Sequence, residues 1–155
     1  MRRLAGLAFL SLAACASSAP QAERAVAAPG VERRVAPQAA HHAAQLVGRP
    51  YRYGGTTPAG FDCSGLIQYS YRQAGLVVPR STEDQRRASR LVRDLQPGDL
   101  LFFDQEGKKN SHVGIYLGRG EFVHAPSSGK RVRRDRLDSP YWKKHLSEVR
   151  RFTRA

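Results

Sequence analysis

Cysteine is scarce in this sequence: only Cys15 and Cys63 occur among 155 residues. Two cysteines are too few for the disulfide scaffold of a small secreted domain. No CxxC or HxxxH pair is present, so the tight ligand spacing of a structural zinc site is missing. Long apolar runs are also missing. The longest covers the eleven residues 4–14, which is too short to cross a bilayer.

Acidic residues are the second scarcity, with 13 Asp and Glu against 26 Lys and Arg and a net charge of +13. Such a charge indicates attraction to anionic partners and says nothing about the fold. Residues 130–154 contain ten Lys or Arg and three acidic residues. No nucleic-acid motif accompanies them, and Tyr141, Trp142 and Phe152 are not spaced as a stacking platform. We therefore expect no nucleic-acid partner.

The N-terminal segment MRRLAGLAFLSLAAC has a basic start and a short apolar stretch, which together are typical of a secretory signal. Its end, LAAC, resembles the lipobox of bacterial lipoproteins. The resemblance implies that residues 1–14 are removed and that Cys15 is diacylated, anchoring the protein to a membrane. Ala16 in place of Asp favours the periplasmic face of the outer membrane. The alternative is an ordinary cleaved signal and a soluble periplasmic or secreted protein.

Residues 15–40 are rich in Ala, Pro and Ser and lack an apolar period, which predicts a flexible tether. The folded domain is then expected over residues 41–155. Cys63 is the only thiol of that domain, because Cys15 belongs to the lipobox. A free thiol in an oxidising compartment indicates a chemical role.

Within the domain, helical patterns come first and strand patterns follow. A short helix is predicted over residues 38–47, a helix from Cys63 capped by Asp62 and ended by Gly75, and a short helix capped by Ser81. Predicted strands follow at residues 99–104, 111–118 and 121–125, with a solvated strand in KRVRRD, a helix from Pro140 and a closing strand in EVRRFT. This order predicts an α+β fold with an antiparallel sheet.

The first turn of a helix is a favourable place for a reactive thiol, because free backbone amides and the helix dipole lower a thiol pKa. The alternative for Cys63 is a small buried apolar residue. A nucleophilic thiol also needs a base and a group that orients the base. His112 and His124 lie on adjacent predicted strands, and they share a face if the turn has three residues or the hairpin contains a bulge.

The other three histidines, His41, His42 and His145, lie in polar helical contexts and are expected at the surface. One Cys and two His are also the ligand types of zinc, but Cys63 lies 49 residues before His112. We expect no metal at this site.

Several short motifs in order resemble the NlpC family of bacterial cell-wall cysteine peptidases: PYRYGG (50–55), FDCSGL (61–66), PRST with Gln85, PGDLLFF (97–103), HVGIYLG (112–118) and FVHA (122–125). The tail SPYWKKH is similar to that of the lipoprotein members. The resemblance covers residues 41–153 and implies a papain-like fold. It implies that Cys63 is the nucleophile, His112 the base and His124 the residue that orients His112. Tyr51 would help to hold the oxyanion, while Ser64, Arg80 and Ser81 would lie along the substrate groove.

The same resemblance implies hydrolysis of amide bonds in peptidoglycan stem peptides, with no metal and no cofactor. The tail and the lipobox favour the D-alanyl–diaminopimelate cross-link, and the γ-D-glutamyl–diaminopimelate bond is the alternative. The other readings are a non-catalytic wall-binding lipoprotein and a lipid acyltransferase. We expect a monomer whose partners are the stem peptides and, through Cys15, the membrane.

Overall fold

The computed structural model describes residues 29–153, which form four helices and eight strands. The helices are α1 (Pro29–Gln45), α2 (Cys63–Gln73), α3 (Thr82–Arg87) and α4 (Pro140–His145). The strands are β1 (Thr56–Thr57), β2 (Gly60–Phe61), β3 (Ser89–Leu91), β4 (Leu100–Gln105), β5 (Lys108–Gly118), β6 (Glu121–His124), β7 (Arg133–Arg136) and β8 (Leu146–Phe152). The predicted signal peptide 1–14 and Cys15 lie outside the described residues. Among the described helices, none combines the length and apolar character needed to span a membrane.

A six-stranded sheet in the order β3-β8-β4-β5-β6-β7 forms the centre of the fold, and every neighbouring pair is antiparallel. Helices α1 and α2 pack on one face. The predicted α+β class with an antiparallel sheet is confirmed. The short strands β1, β2 and β3 were not predicted, since two or three residues carry no readable alternation.

The predicted tether differs from the structure over its last part, because α1 begins at Pro29 instead of residue 38. Val35, Ala39 and Ala40 are buried in the main core, although all three lie before the predicted domain start at residue 41. A side chain at Gly98 would run into the backbone of Ala36, so this helix is packed tightly on the turn before β4. The boundary at residue 41 is therefore wrong: small alanines made an interior helix resemble a linker.

Helix α2 agrees closely with its prediction. The Asp62 side chain accepts a hydrogen bond from the Gly65 backbone amide at 2.7 Å and so caps the helix. Leu66, Ile67 and Tyr71 are buried, as their helical spacing predicts. The helix ends at Gln73, two residues before Gly75, which has a positive φ of 92°. Ser81 likewise caps α3, accepting from the Asp84 amide at 3.1 Å.

The central strand β4 is buried on both faces, as its continuous apolar run predicts. Leu100 and Phe102 face the main core beneath α1 and α2. Leu101 and Phe103 face a second, smaller cluster that contains Trp142 of α4. Trp142 thus covers the face of the sheet opposite α1 and α2.

A buried ion pair joins the turn before β4 to the last strand. Asp99 is fully buried, and Arg151 of β8 donates to its two carboxylate oxygens at 2.6 and 2.8 Å. The Gln96 backbone amide donates a further bond at 2.8 Å. A buried carboxylate that loses its partner is strongly destabilising, because its desolvation is no longer compensated.

We therefore expect Arg151→Ala to lower the free energy of unfolding by about 3–5 kcal/mol. Urea denaturation followed by circular dichroism measures the change. Arg90→Ala is the matched control, since Arg90 is the exposed cross-strand partner of Arg151. Equal losses in the two variants would contradict the assignment of Asp99–Arg151 as a stabilising pair.

Candidate active site

The N-terminus of α2 is held by a loop that approaches it closely. Besides Gly65, Asp62 accepts a bond from the Gly54 amide at 3.1 Å, so one carboxylate ties this loop to the helix. A side chain at Gly65 would collide with the Gly55 carbonyl, which explains the glycine two residues after Cys63. The DCSG motif therefore builds a tightly packed helix start with Cys63 as its first residue.

Cys63 is a free, half-buried thiol that lies against strand β5. Its sulfur is 3.8 Å from the Thr82 hydroxyl. Burial raises the pKa of the Cys63 thiol, and hydrogen bonds from Thr82 and from the Val113 and Ser64 backbone amides oppose this only partly. The direction is opposite to the lowered pKa expected at a helix N-terminus, because desolvation of the thiolate outweighs these three hydrogen bonds.

The two predicted histidines meet across the β5–β6 hairpin. Ile115 pairs with Val123 and Tyr116 with Phe122, and the register then shifts before Gly118 pairs with Glu121. This bulge gives the predicted register, in which His112 and His124 share a face. His112 Nε2 and His124 Nδ1 are 2.9 Å apart and hydrogen bonded, and both side chains are buried.

The histidine pair continues to an acidic residue that was not predicted. His124 Nε2 is 2.8 Å from Oδ2 of Asp135 on strand β7. Trp142 lies against both rings, with centroid distances of 5.9 Å to His112 and 4.8 Å to His124. Asp135 and Trp142 were missed because one acidic residue in a basic run and one aromatic in a helix carry no sequence signal of their own.

Burial and the neighbouring His124 lower the pKa of His112 to about 3, so the imidazole is neutral at pH 7. Burial also lowers the pKa of His124, although Asp135 opposes the shift. His112 and Cys63 are not hydrogen bonded to each other. The sulfur instead contacts the backbone amide of Val113, the residue that follows His112 on strand β5. Cys63 and His112 are therefore both uncharged at pH 7.

Tyr51 lies near the thiol, as predicted. It packs against the same core as Cys63, and burial together with the charges of Cys63 and Asp62 raises the pKa of its hydroxyl. Its backbone amide donates to the Lys130 carbonyl at 2.9 Å, which fixes the loop that carries the ring. A protonated phenol can donate a hydrogen bond.

Of the remaining predicted site residues, Ser64 and Arg80 contact Asp62 and Ser81 does not. Arg80 donates to Asp62 at 2.6 Å and to the Ser64 hydroxyl at 2.7 Å, and Ser64 is buried. Ser81 is exposed and caps α3 instead of lining the thiol site. Gln85 is fully buried and donates to the Ser64 carbonyl at 2.9 Å, which supports the first turn of α2 from beneath.

The other histidines are separate from this site. His41 is exposed, while His42 and His145 are half-buried. Within residues 29–153, no three His, Cys, Asp or Glu side chains are grouped so that they could hold a metal ion. A cavity of about 850 Å³ lies beside His124 and Asp135, and its lining includes the basic residues Lys130, Arg133, Arg134 and Arg136.

A helix that presents a thiol at its first turn, packed on an antiparallel sheet that carries a histidine pair, defines a papain-like α+β domain. The profile of the NlpC/P60 family matches residues 48–151. The chain belongs to the NlpC/P60 family, and the predicted family is confirmed.

Several curated proteins and solved structures are similar to this chain. "Murein DD-endopeptidase MepS/Murein LD-carboxypeptidase" of Escherichia coli K12 is 45% identical over 104 residues, which cover 65% of this chain and 54% of the relative. "Bifunctional muramidase/DL-endopeptidase CwlT" of Bacillus subtilis 168 is 42% identical over 104 residues, covering 64% and 31%. A crystal structure of an NlpC/P60 family protein from Bacillus cereus aligns with a TM-score of 0.68 and 33% identity, covering 76% and 40%. The chain spans about half the length, or less, of these proteins.

The buried neutral histidine predicts that stability depends on pH. Below pH 6.5 the unfolded chain protonates His112, whereas the native state keeps it neutral down to a pKa of about 3. The free energy of unfolding is therefore at its full value above pH 6.5. It decreases as the pH falls below 6.5, by about 1.4 kcal/mol per pH unit for one proton. Urea denaturation at pH 7.5, 5.5 and 4.5 measures it.

In His112→Gln the free energy of unfolding should depend less steeply on pH over this range, by the equivalent of about one proton, since the variant has no imidazole at this position. His41→Gln, at an exposed position, should keep the slope of the unmodified protein. Identical slopes for the unmodified protein and His112→Gln would show that His112 is not held neutral.

Proposed function

We propose that this protein is a peptidoglycan endopeptidase that hydrolyses amide bonds of murein stem peptides through Cys63, His112 and His124. Two observations carry the proposal. His112 and His124 are buried and hydrogen bonded to each other. The backbone amide of Val113, the residue after His112, contacts the Cys63 thiol. The printed names of the relatives, a murein DD-endopeptidase and a DL-endopeptidase, support the substrate class.

The reaction begins from a neutral thiol and a neutral imidazole. His112 Nε2 is engaged with His124, which leaves Nδ1 as the nitrogen that accepts the Cys63 proton. As the proton leaves, the sulfur attacks the peptide carbonyl carbon, a carbon–sulfur bond forms, and the carbonyl electrons move to oxygen. Because both groups start uncharged, the proton transfer takes place with the attack instead of before it.

The developing oxyanion needs hydrogen-bond donors within reach of the thiol. The Tyr51 hydroxyl is the side-chain candidate, since it is protonated and lies near Cys63. The imidazolium of His112 then protonates the leaving amine, the carbon–nitrogen bond breaks, and a thioester remains. Water that loses a proton to His112 attacks the thioester, releases the carboxylic acid and restores the thiol.

Ser64, Arg80 and Ser81 have a smaller part in this proposal. Arg80 and Ser64 bond to each other and to Asp62, so their contribution is to hold the start of α2 beside the substrate. Ser81 contributes through the α3 cap, which precedes Thr82 and its contact with the thiol.

For the bond that is cut we propose the D-alanyl–diaminopimelate cross-link, in line with the DD-endopeptidase name of the relative from E. coli. The γ-D-glutamyl–diaminopimelate bond is the second candidate, and the DL-endopeptidase name of the relative from B. subtilis favours it. We further propose that Cys15 is lipidated and holds the enzyme at the periplasmic face of the outer membrane. This rests on the LAAC motif.

Purified full-length protein should convert cross-linked muropeptide dimers into monomers, as read by mass. Cys63→Ala should abolish cleavage, because it removes the nucleophile, and His112→Ala should lower kcat/KM by about 10²- to 10⁴-fold. Shortened stems in place of separated dimers would assign the γ-D-glutamyl bond. Unchanged muropeptides with all proteins would overturn the endopeptidase proposal in favour of a wall-binding role.

Lipidation is tested by growing bacteria that express the protein with an alkyne analogue of palmitate. The protein should become labelled and fractionate with the outer membrane. Cys15→Ser should remove the label, whereas Cys63→Ser is the matched control and should keep it, since the chain has only these two cysteines. Labelling that persists in Cys15→Ser would contradict the assignment.

A further inference from the structure

Asp135 lies next to the proposed catalytic residues but has no part in the reaction as written above. Strands β6 and β7 pair Phe122 with Asp135 and His124 with Arg133. Asp135 is therefore the diagonal neighbour of His124 on the same face of the sheet. Side chains at diagonal positions are close enough for a carboxylate and an imidazole to meet. The bond of 2.8 Å between His124 Nε2 and Asp135 Oδ2 follows from this register.

The Asp135 carboxylate is held by donors on both oxygens. Trp142 Nε1 donates to Oδ2 at 3.1 Å, the same oxygen that contacts His124. Arg133 donates to Oδ1 through its guanidinium, at 3.1 Å from Nε. Burial alone would raise the pKa of Asp135, but the bonds from Arg133 and His124 lower it below its usual value. The group is thus an ionised carboxylate in one orientation.

An ionised carboxylate can only accept hydrogen bonds, and this determines every proton position along the chain. His124 must carry its proton on Nε2, because Nε2 faces Asp135. A neutral His124 then has a lone pair on Nδ1, so His112 must donate from its own Nε2. A neutral His112 protonated on Nε2 has its lone pair on Nδ1, the nitrogen that is not bonded to His124.

We propose that Asp135 is a positioning residue that sets the tautomers of both His124 and His112 and so keeps the base form of His112 Nδ1. Without the carboxylate, His124 is free to carry its proton on Nδ1 and donate it to His112. His112 is then protonated on Nδ1 and cannot accept the thiol proton. The tautomer assignment stands on geometry, and its effect on catalysis rests on the proposed function.

The tautomers are measured directly by two-bond ¹H–¹⁵N spectra of full-length protein labelled on histidine, at pH 7. His112→Gln and His124→Gln assign the signals. In the unmodified protein both rings should be protonated on Nε2 only. A proton on Nδ1 of either ring in the unmodified protein overturns the proposal, whatever the variants do.

Asp135→Asn is the informative variant, since it keeps the shape and removes the charge. Arg133 donates to Oδ1 from two guanidinium nitrogens, whereas Trp142 donates a single bond to Oδ2. The amide oxygen is therefore expected to face Arg133 and the amide nitrogen to face His124, at the cost of the single bond from Trp142. The amide then donates to His124 Nε2, and both histidines should shift to the Nδ1-protonated form. Unchanged tautomers in this variant overturn the proposal.

Kinetics on muropeptides give the second measurement. Asp135→Asn should lower kcat by about 10- to 100-fold with little change in KM. The size is that seen for residues that orient a metal-binding histidine without contacting the metal themselves. The loss should be smaller than the roughly 10⁴-fold loss seen when the aspartate bonded directly to a catalytic histidine is replaced. Asp135→Glu, which keeps a carboxylate, should recover part of the activity. A wild-type kcat in Asp135→Asn overturns the catalytic part of the proposal.

Asp138→Asn is the matched control, because Asp138 lies three residues away and pairs with Arg136 at the surface. It should leave both tautomers and kcat unchanged, and a loss equal to that of Asp135→Asn overturns the proposal by showing a nonspecific effect of the charge. If the unmodified protein has the expected tautomers but cleaves no muropeptide, the proposed function fails and the role of Asp135 in setting tautomers stands. If it cleaves while the tautomers ignore Asp135, the reverse holds.

Discussion

The register between strands β5 and β6 is the constraint on which the site depends. Side chains alternate along a strand, so a shift of one residue would turn His124 to the opposite face from His112. The bulge after Tyr116 accommodates the extra residue near the turn, so that Ile115 pairs with Val123 and the two histidines share a face. The same alternation places Phe103 and Phe122 around the rings and brings Trp142 over them.

Burial then decides the chemistry of these groups more than charge does. Desolvation raises the pKa of the Cys63 thiol and lowers that of His112, so both groups are uncharged before substrate arrives. An ion pair at the helix N-terminus is the simpler expectation, but it requires a thiolate and an imidazolium that the low-dielectric interior disfavours. Arg133 and Asp135 are the charged groups at the solvent side of the histidine chain.

The composition of helix α1 resembles that of a linker, although the helix packs on the core. Alanine serves equally well in a linker and in an interface where a helix approaches a turn closely, and no large apolar side chain marks the stretch before residue 41. Val35, Ala39 and Ala40 are nonetheless buried, and the neighbouring Ala36 backbone is in close contact with the turn at Gly98.

Local sequence determined what depends on local physics. The caps at Asp62 and Ser81, the position of Cys63 at a helix start, the doubly buried strand β4 and the order of helices before strands were all predictable, because caps, periodicity and turns act over a few residues. The family could be inferred from the ordered motifs. Only the tertiary structure decided the hydrogen-bonded chain from His112 to Asp135, the burial that raises the pKa of the Cys63 thiol, and the position of Trp142. These depend on strand register and on contacts between residues far apart in the chain, which a single sequence does not specify.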